Sequence, residues 1–200
     1  MKLRTRAWAA ALFCIVTAAA HAANAGNYTA ILTGAQEAPR NSSPGLGAAI
    51  VQFDADTHVL QISATFAALM GDTTAAHIHC CTATPDEGVA GIATNFAGFP
   101  LGVRDGIYSR SYNTSLTSLW SADFLSAHGG TTAGAEAAFL AGLNAGTGYI
   151  NIHSSAYPNG EIRGFLSAVT AVPEPGAFVM LGLGAPLVLL AARRRRNKST

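Results

Sequence analysis

Cysteine is scarce in this chain of 200 residues: there are three, and Cys14 lies in an apolar leading run, so beyond it only the adjacent pair Cys80 and Cys81 remains. That count excludes a small fold stapled by several disulfides. Basic charge is almost as scarce away from the ends. Between residues 26 and 171 there is no lysine, and only Arg40, Arg104, Arg110 and Arg163 stand against ten acids, a net charge of −6. A segment so poor in cations cannot neutralise a run of phosphates, which excludes a nucleic-acid surface. Also missing are a G-x-S-x-G elbow, a phosphate-binding glycine loop, a zincin helix motif and any internal repeat. Charged residues make up only 12% of the chain while 50% is hydrophobic, too apolar a balance for a disordered polymer.

The basic residues that do exist cluster at the two ends, and each end reads as an address. Lys2, Arg4 and Arg6 precede an apolar run from Ala7 to Ala20, followed by Ala20-His21-Ala22 and Ala23-Asn24-Ala25, both small-x-small cleavage patterns. Residues 1–25 therefore read as a secretory signal peptide. At the other end Pro173-Glu174-Pro175 precedes an apolar stretch, 176–192, and then Arg193-Arg194-Arg195-Arg196. The stretch is at the short limit for a single membrane-spanning helix, and the arginines orient it with that end in the cytoplasm. The order of tripeptide, short span and arginine cluster over 172–200 resembles the bacterial PEP-CTERM sorting signal. The resemblance implies an exosortase-like enzyme that cuts near the tripeptide, after signal peptidase has acted at the other end. It further implies export across the inner membrane, transient anchoring through 176–192, and delivery to the cell surface or outside.

Residues 26–171 are long enough for one domain with its own core. Leu60, Ile62, Ala64 and Phe66 alternate with Val59, Gln61, Ser63 and Thr65, the period of a half-buried strand. Ala49, Val51 and Phe53 share a face in the same way, and Asp54-Ala55-Asp56-Thr57 supplies a hairpin turn between them. The pattern over Tyr28–Thr33 is mixed, and further strands are expected at Ala75–Cys80, Gly106–Asn113, Gly148–His153 and Glu161–Val169, with an Asn159-Gly160 turn between the last two. The period changes at Ser121–Ala127 and Gly134–Leu143, which read as short helices. The expected fold is mainly β, an antiparallel sandwich or Greek-key barrel with a short helical insertion.

Four segments occur in order along this body: Leu32-Thr33-Gly34-Ala35-Gln36-Glu37-Ala38-Pro39, Ala75-Ala76-His77-Ile78-His79, Tyr149-Ile150-Asn151-Ile152-His153 and Gly160-Glu161-Ile162-Arg163-Gly164. Together they resemble the CHRD domain, named after chordin, over roughly Tyr28 to Val169. The resemblance implies an extracytoplasmic β-rich module without an assigned catalytic activity. Cys80-Cys81-Thr82 departs from it, because that family often continues His-Ile-His with glycine and proline.

Within a strand, residues two apart share a face at about 6.6–6.8 Å, so His77 and His79 project side by side while Ile78 faces the other way. If the strand carrying His153 is their neighbour, three imidazoles converge, a donor set that suits zinc or copper, and also iron or nickel. The same histidines could instead tie strands together by hydrogen bonds to each other, to Asn151 or to Glu161. The His-x-His strand also resembles that of copper–zinc superoxide dismutase; only His128 lies between His79 and His153, so that enzyme's further zinc-ligand cluster has no counterpart. Cys80 and Cys81, with Cα atoms about 3.8 Å apart against a usual disulfide range of roughly 4.4–6.8 Å, leave a vicinal disulfide, an intermolecular bridge and a soft metal ligand all open. Glu161 and Arg163 alternate onto one face and read as a structural Glu–Arg pair. Two functions follow. One is a non-enzymatic envelope or extracellular-matrix module that meets extracellular polysaccharide or envelope components. The alternative is a copper- or zinc-binding protein, redox-active or dismutase-like, using His77, His79 and His153.

Overall fold

The computed structural model describes residues 24–169. The expected signal peptide, but for Asn24 and Ala25, and the expected membrane span at 176–192 with its basic tail lie outside the described residues. Within them no helix is long and apolar enough to cross a membrane.

Nine strands form one continuous sheet. They are β1 (Ala25–Thr33), β2 (Leu46–Asp54), β3 (Val59–Ala67), β4 (Thr73–His79), β5 (Ile92–Asn95), β6 (Gly106–Asn113), β7 (Tyr149–Ser154), β8 (Ile162–Phe165) and β9 (Ser167–Ala168). Their order is β5-β4-β7-β8-β1-β2-β3-β6, all pairs antiparallel, with β9 added beside β1. The sheet curls on itself: a bridge between Thr94 of β5 and Trp120, and a bond from the Tyr108 hydroxyl of β6 to the Ala97 carbonyl, join its two ends. A sandwich of two separate sheets is therefore replaced by one hydrogen-bonded path.

Period-2 alternation is realised where the sequence displayed it. On β2 and β3 the residues Ala49, Val51, Phe53, Leu60, Ile62, Ala64 and Phe66 are all buried, and their neighbours face out. The turn between them is held by the Asp54 carboxylate, which accepts from the backbone N–H of Asp56 and of Thr57 at 2.9 and 3.1 Å. The expected final strand Glu161–Val169 is broken into β8 and β9, because Leu166 turns its N–H to the Gly148 carbonyl and its side chain into the core. Strand β5 has no counterpart among the expected strands. It is four residues long and follows a loop without alternation.

The two helices lie close to their expected places. Helix α1 (Ala122–Ala127) is capped by Ser121, and α2 (Thr132–Asn144) by Thr131, each side-chain oxygen accepting from the N–H three residues on. Ala135, Phe139, Gly142 and Leu143 recur at helical spacing and are buried against one end of the curled sheet. Phe139, fully buried, meets Phe53 edge-on at 5.4 Å and Trp120 at 5.4 Å. Phe139→Ala is expected to cost about 3–5 kcal/mol, read as a lower urea midpoint with an unchanged slope.

Candidate metal centre

Strands β4 and β7 pair with His77 opposite Asn151, His79 opposite Tyr149 and Ala75 opposite His153. This register puts His77, His79, Tyr149, Asn151 and His153 on one face. It sends Ile78, Ile150 and Ile152, all fully buried, to the core on the other. The three histidines do converge. His77 Nδ1 lies 3.1 Å from His153 Nε2, and one potential ligand nitrogen from each ring falls within 4.8 Å of the others.

Two loops fix the rings. His79 Nδ1 is 2.9 Å from the Ala90 carbonyl and His153 Nδ1 is 2.8 Å from the Pro158 carbonyl. A carbonyl can only accept, so both Nδ1 atoms carry the proton and both Nε2 atoms keep a lone pair. The lone pair of His153 accepts from His77 Nδ1–H. That of His79 Nε2 is buried and has no hydrogen-bond partner. The His79 ring stacks on Tyr149 at 4.7 Å with 3° between planes, and the Tyr149 hydroxyl reaches the same Ala90 backbone. On the Tyr149 ring also rests the Arg163 guanidinium, at 4.8 Å.

Burial, with the neighbouring His153 and His79 adding to it, pushes the His77 imidazole down to about 4. Burial also lowers His79, against the opposing pull of the Ala90 carbonyl. His77 and His79 are thus neutral at pH 7, the form in which imidazole binds a metal. Three imidazoles, two of them held at Nδ1 by backbone carbonyls, are a donor set that suits zinc or copper. Metal–nitrogen bonds of about 2.0–2.1 Å require the rings to close by roughly an ångström from the observed spread.

The other singled-out residues fall differently. Cys80 and Cys81 are bonded to each other across a cis peptide, with Cα atoms 3.0 Å apart. Of the alternatives left open by the sequence the structure has the vicinal disulfide, and the sulfurs lie against Gly142 of α2. Glu161 and Arg163 do not pair. Each is held by other segments, since β8 begins between them and each side chain meets a different loop. Glu161, at 0% exposure, accepts from Ser43 Oγ at 2.6 Å, from Met70 N–H at 2.5 Å, from Gly71 N–H at 3.3 Å and from Ser154 Oγ. Arg163 donates to the Gln36 carbonyl and, at 2.9 Å, to that of Gly88.

A buried carboxyl completes this face. Glu37 is 6% exposed and accepts from Asn151 Nδ2 at 2.8 Å. Burial drives its carboxyl up to about 7, with Arg163 opposing. A lone acid inside the apolar-flanked Gly34–Pro39 segment was its only sequence signal. Asn151 Oδ1 and His79 Nε2 are the buried side-chain atoms among the described residues that lack a partner, and both belong to strands of this same pair.

A curled antiparallel sheet with a histidine cluster on one face defines a β-rich module. The chain belongs to the CHRD domain family, whose model matches residues 28–166, and residues 171–196 match the PEP-CTERM protein-sorting motif. Comparison with curated proteins and with solved structures gave no match.

Two buried carboxyls of opposite shift set a testable pH dependence. Glu37 rises from 4.5 unfolded to about 7 folded, so the native state holds its proton more tightly, and stability falls as pH climbs through that window. Glu37→Gln should remove this slope and be relatively more stable than the wild type at pH 7.5 than at pH 4.5, measured by urea unfolding at both. Glu161 is held below its ordinary value, chiefly by its hydrogen bonds acting against desolvation, so its contribution is present above pH 4.5 and is lost on acidification. Glu161→Ala leaves two backbone N–H groups and two hydroxyls without their acceptor and should destabilise by about 3 kcal/mol or more.

Proposed function

We propose that this chain is an exported, non-enzymatic envelope or extracellular-matrix module whose folded body binds zinc or copper through His77, His79 and His153. The single observation that supports the metal reading best is the buried lone pair of His79 Nε2. Leaving an imidazole nitrogen unpartnered is costly, while its other nitrogen is pinned by a carbonyl in the manner of a metal ligand. His153 Nδ1 is pinned in the same way by the Pro158 carbonyl, and its Nε2 becomes available to an ion once the hydrogen bond from His77 Nδ1 opens. Zinc would supply Lewis acidity and copper one-electron chemistry. His77, His79 and His153 would hold the ion, with the Ala90 and Pro158 carbonyls orienting two of the rings and Tyr149 stacked on that of His79.

Residues 1–25 serve as the signal peptide, 26–171 as the working domain and 172–200 as the sorting tail with its span at 176–192. The tail motif implies processing by an exosortase-like enzyme at Pro173-Glu174-Pro175. The acidic body and the basic ends support a division between what is delivered and what delivers it.

The full chain, stripped with chelator and reloaded by dialysis against zinc or copper, should retain one equivalent by elemental analysis. His79→Ala and His153→Ala should each weaken retention at least tenfold. Failure of the wild type to retain stoichiometric metal would sink the metal reading. Expression in hosts with and without an exosortase tests sorting separately: the intact mass should lose the tail only when the enzyme is present, and an identical mass in both hosts rejects it.

A further inference from the structure

We propose that the Cys80–Cys81 disulfide is a redox site that exchanges with dithiols rather than a staple of the fold. A disulfide stabilises by closing a loop, and its effect grows with the length of chain enclosed. This one joins consecutive residues, so it closes none and restrains the unfolded chain hardly at all. The backbone on either side is held without it. Cys80 N–H donates to the Gly91 carbonyl at 3.1 Å and Thr82 N–H to that of Thr147 at 2.9 Å. The bond can open while the strand end and the loop stay in place.

The surroundings are shaped for the pair of sulfurs. Helix α2 carries Gly142 where they rest, and a Cβ there would stand 2.2 Å from Cys81 Sγ and 2.5 Å from Cys80 Sγ. Glycine is the poorest helix former after proline, so its use in the last turns of α2 reflects the room the sulfurs need. Cys80 is 5% exposed and packs in the core, whereas Cys81 is exposed. Attack is therefore directed to Cys81. The Ala138 carbonyl, 3.8 Å from Cys81 Sγ, stands ready to accept from the thiol once it forms.

A thiolate of the dithiol attacks Cys81 Sγ, a new S–S bond forms, the Cys80–Cys81 bond breaks, and its electron pair leaves on Cys80 Sγ, which takes a proton. The second thiol of the donor, as thiolate, then attacks its own sulfur in the mixed disulfide, and Cys81 leaves as thiolate and is protonated. Two electrons and two protons pass to the protein, and the donor becomes a cyclic disulfide. The reverse sequence with a disulfide oxidant restores the bond. This reading does not depend on metal binding.

The test uses the full chain in native buffer with dithiothreitol as the dithiol, followed by alkylation and mass mapping of the peptide that contains both cysteines. Without reductant neither should be alkylated, even in urea. With dithiothreitol both should be alkylated while the circular dichroism of the native sheet is unchanged, and glutathione at low ratio should leave its adduct on Cys81 rather than Cys80. Gly142→Ala should shift the dithiol/disulfide equilibrium at least tenfold toward the dithiol. The proposal is overturned if the wild-type bond resists dithiothreitol until urea unfolds the chain, or if both cysteines are alkylated in the protein as isolated without reductant.

Discussion

The structure depends on one buried anion. Glu161 sits at the start of β8, fully enclosed, and its carboxylate gathers the loop before β2 through Ser43, the loop before β4 through Met70 and Gly71, and the end of β7 through Ser154. A buried carboxylate is tolerable only when its oxygens are saturated by donors, so these four segments must arrive together or not at all. Because two of them flank β4 and β7, the same constraint fixes the register that brings the histidines onto one face.

That face and the core behind it are made from the same strands by alternation. Ile78, Ile150 and Ile152 give β4 and β7 their burial, while the intervening positions hold imidazole, phenol and amide groups. The polar face is built to avoid strong charge. His77 and His79 are held neutral, Glu37 is raised by burial, and Arg163 satisfies its donors on two backbone carbonyls rather than on a carboxylate. Its guanidinium meets the flat faces of Tyr149 and Phe165 instead, at 4.8 and 5.3 Å.

Much of this was legible in the residues alone, for physical reasons that also explain the gaps. The alternation of β2 and β3 announces their buried face because each side chain's fate is decided by its own strand. His77 and His79 could be placed side by side by the same rule, and their meeting with His153 required only that two strands be neighbours. What the sequence could not display were choices made across the fold. Arg163 and Glu161 share a parity, yet each is claimed by different loops, and no local pattern records that. The role of Glu37 rests on Asn151 and Arg163, both more than a hundred positions away. Strand β5 exists because β4 offers it an edge, not because its four residues alternate.

The position of the last hairpin has a consequence for how the chain reaches its folded form. Strand β8 lies between β7 and β1 in the middle of the sheet, with Arg163 paired to Thr33. The two halves of the sheet therefore lack the strand-to-strand ladder through β7 and β8 until nearly the whole domain has been delivered. A chain delivered from its N-terminus meets its own closing strand last, so the topology itself postpones completion of the sheet until only the segment that carries the sorting motif remains to follow.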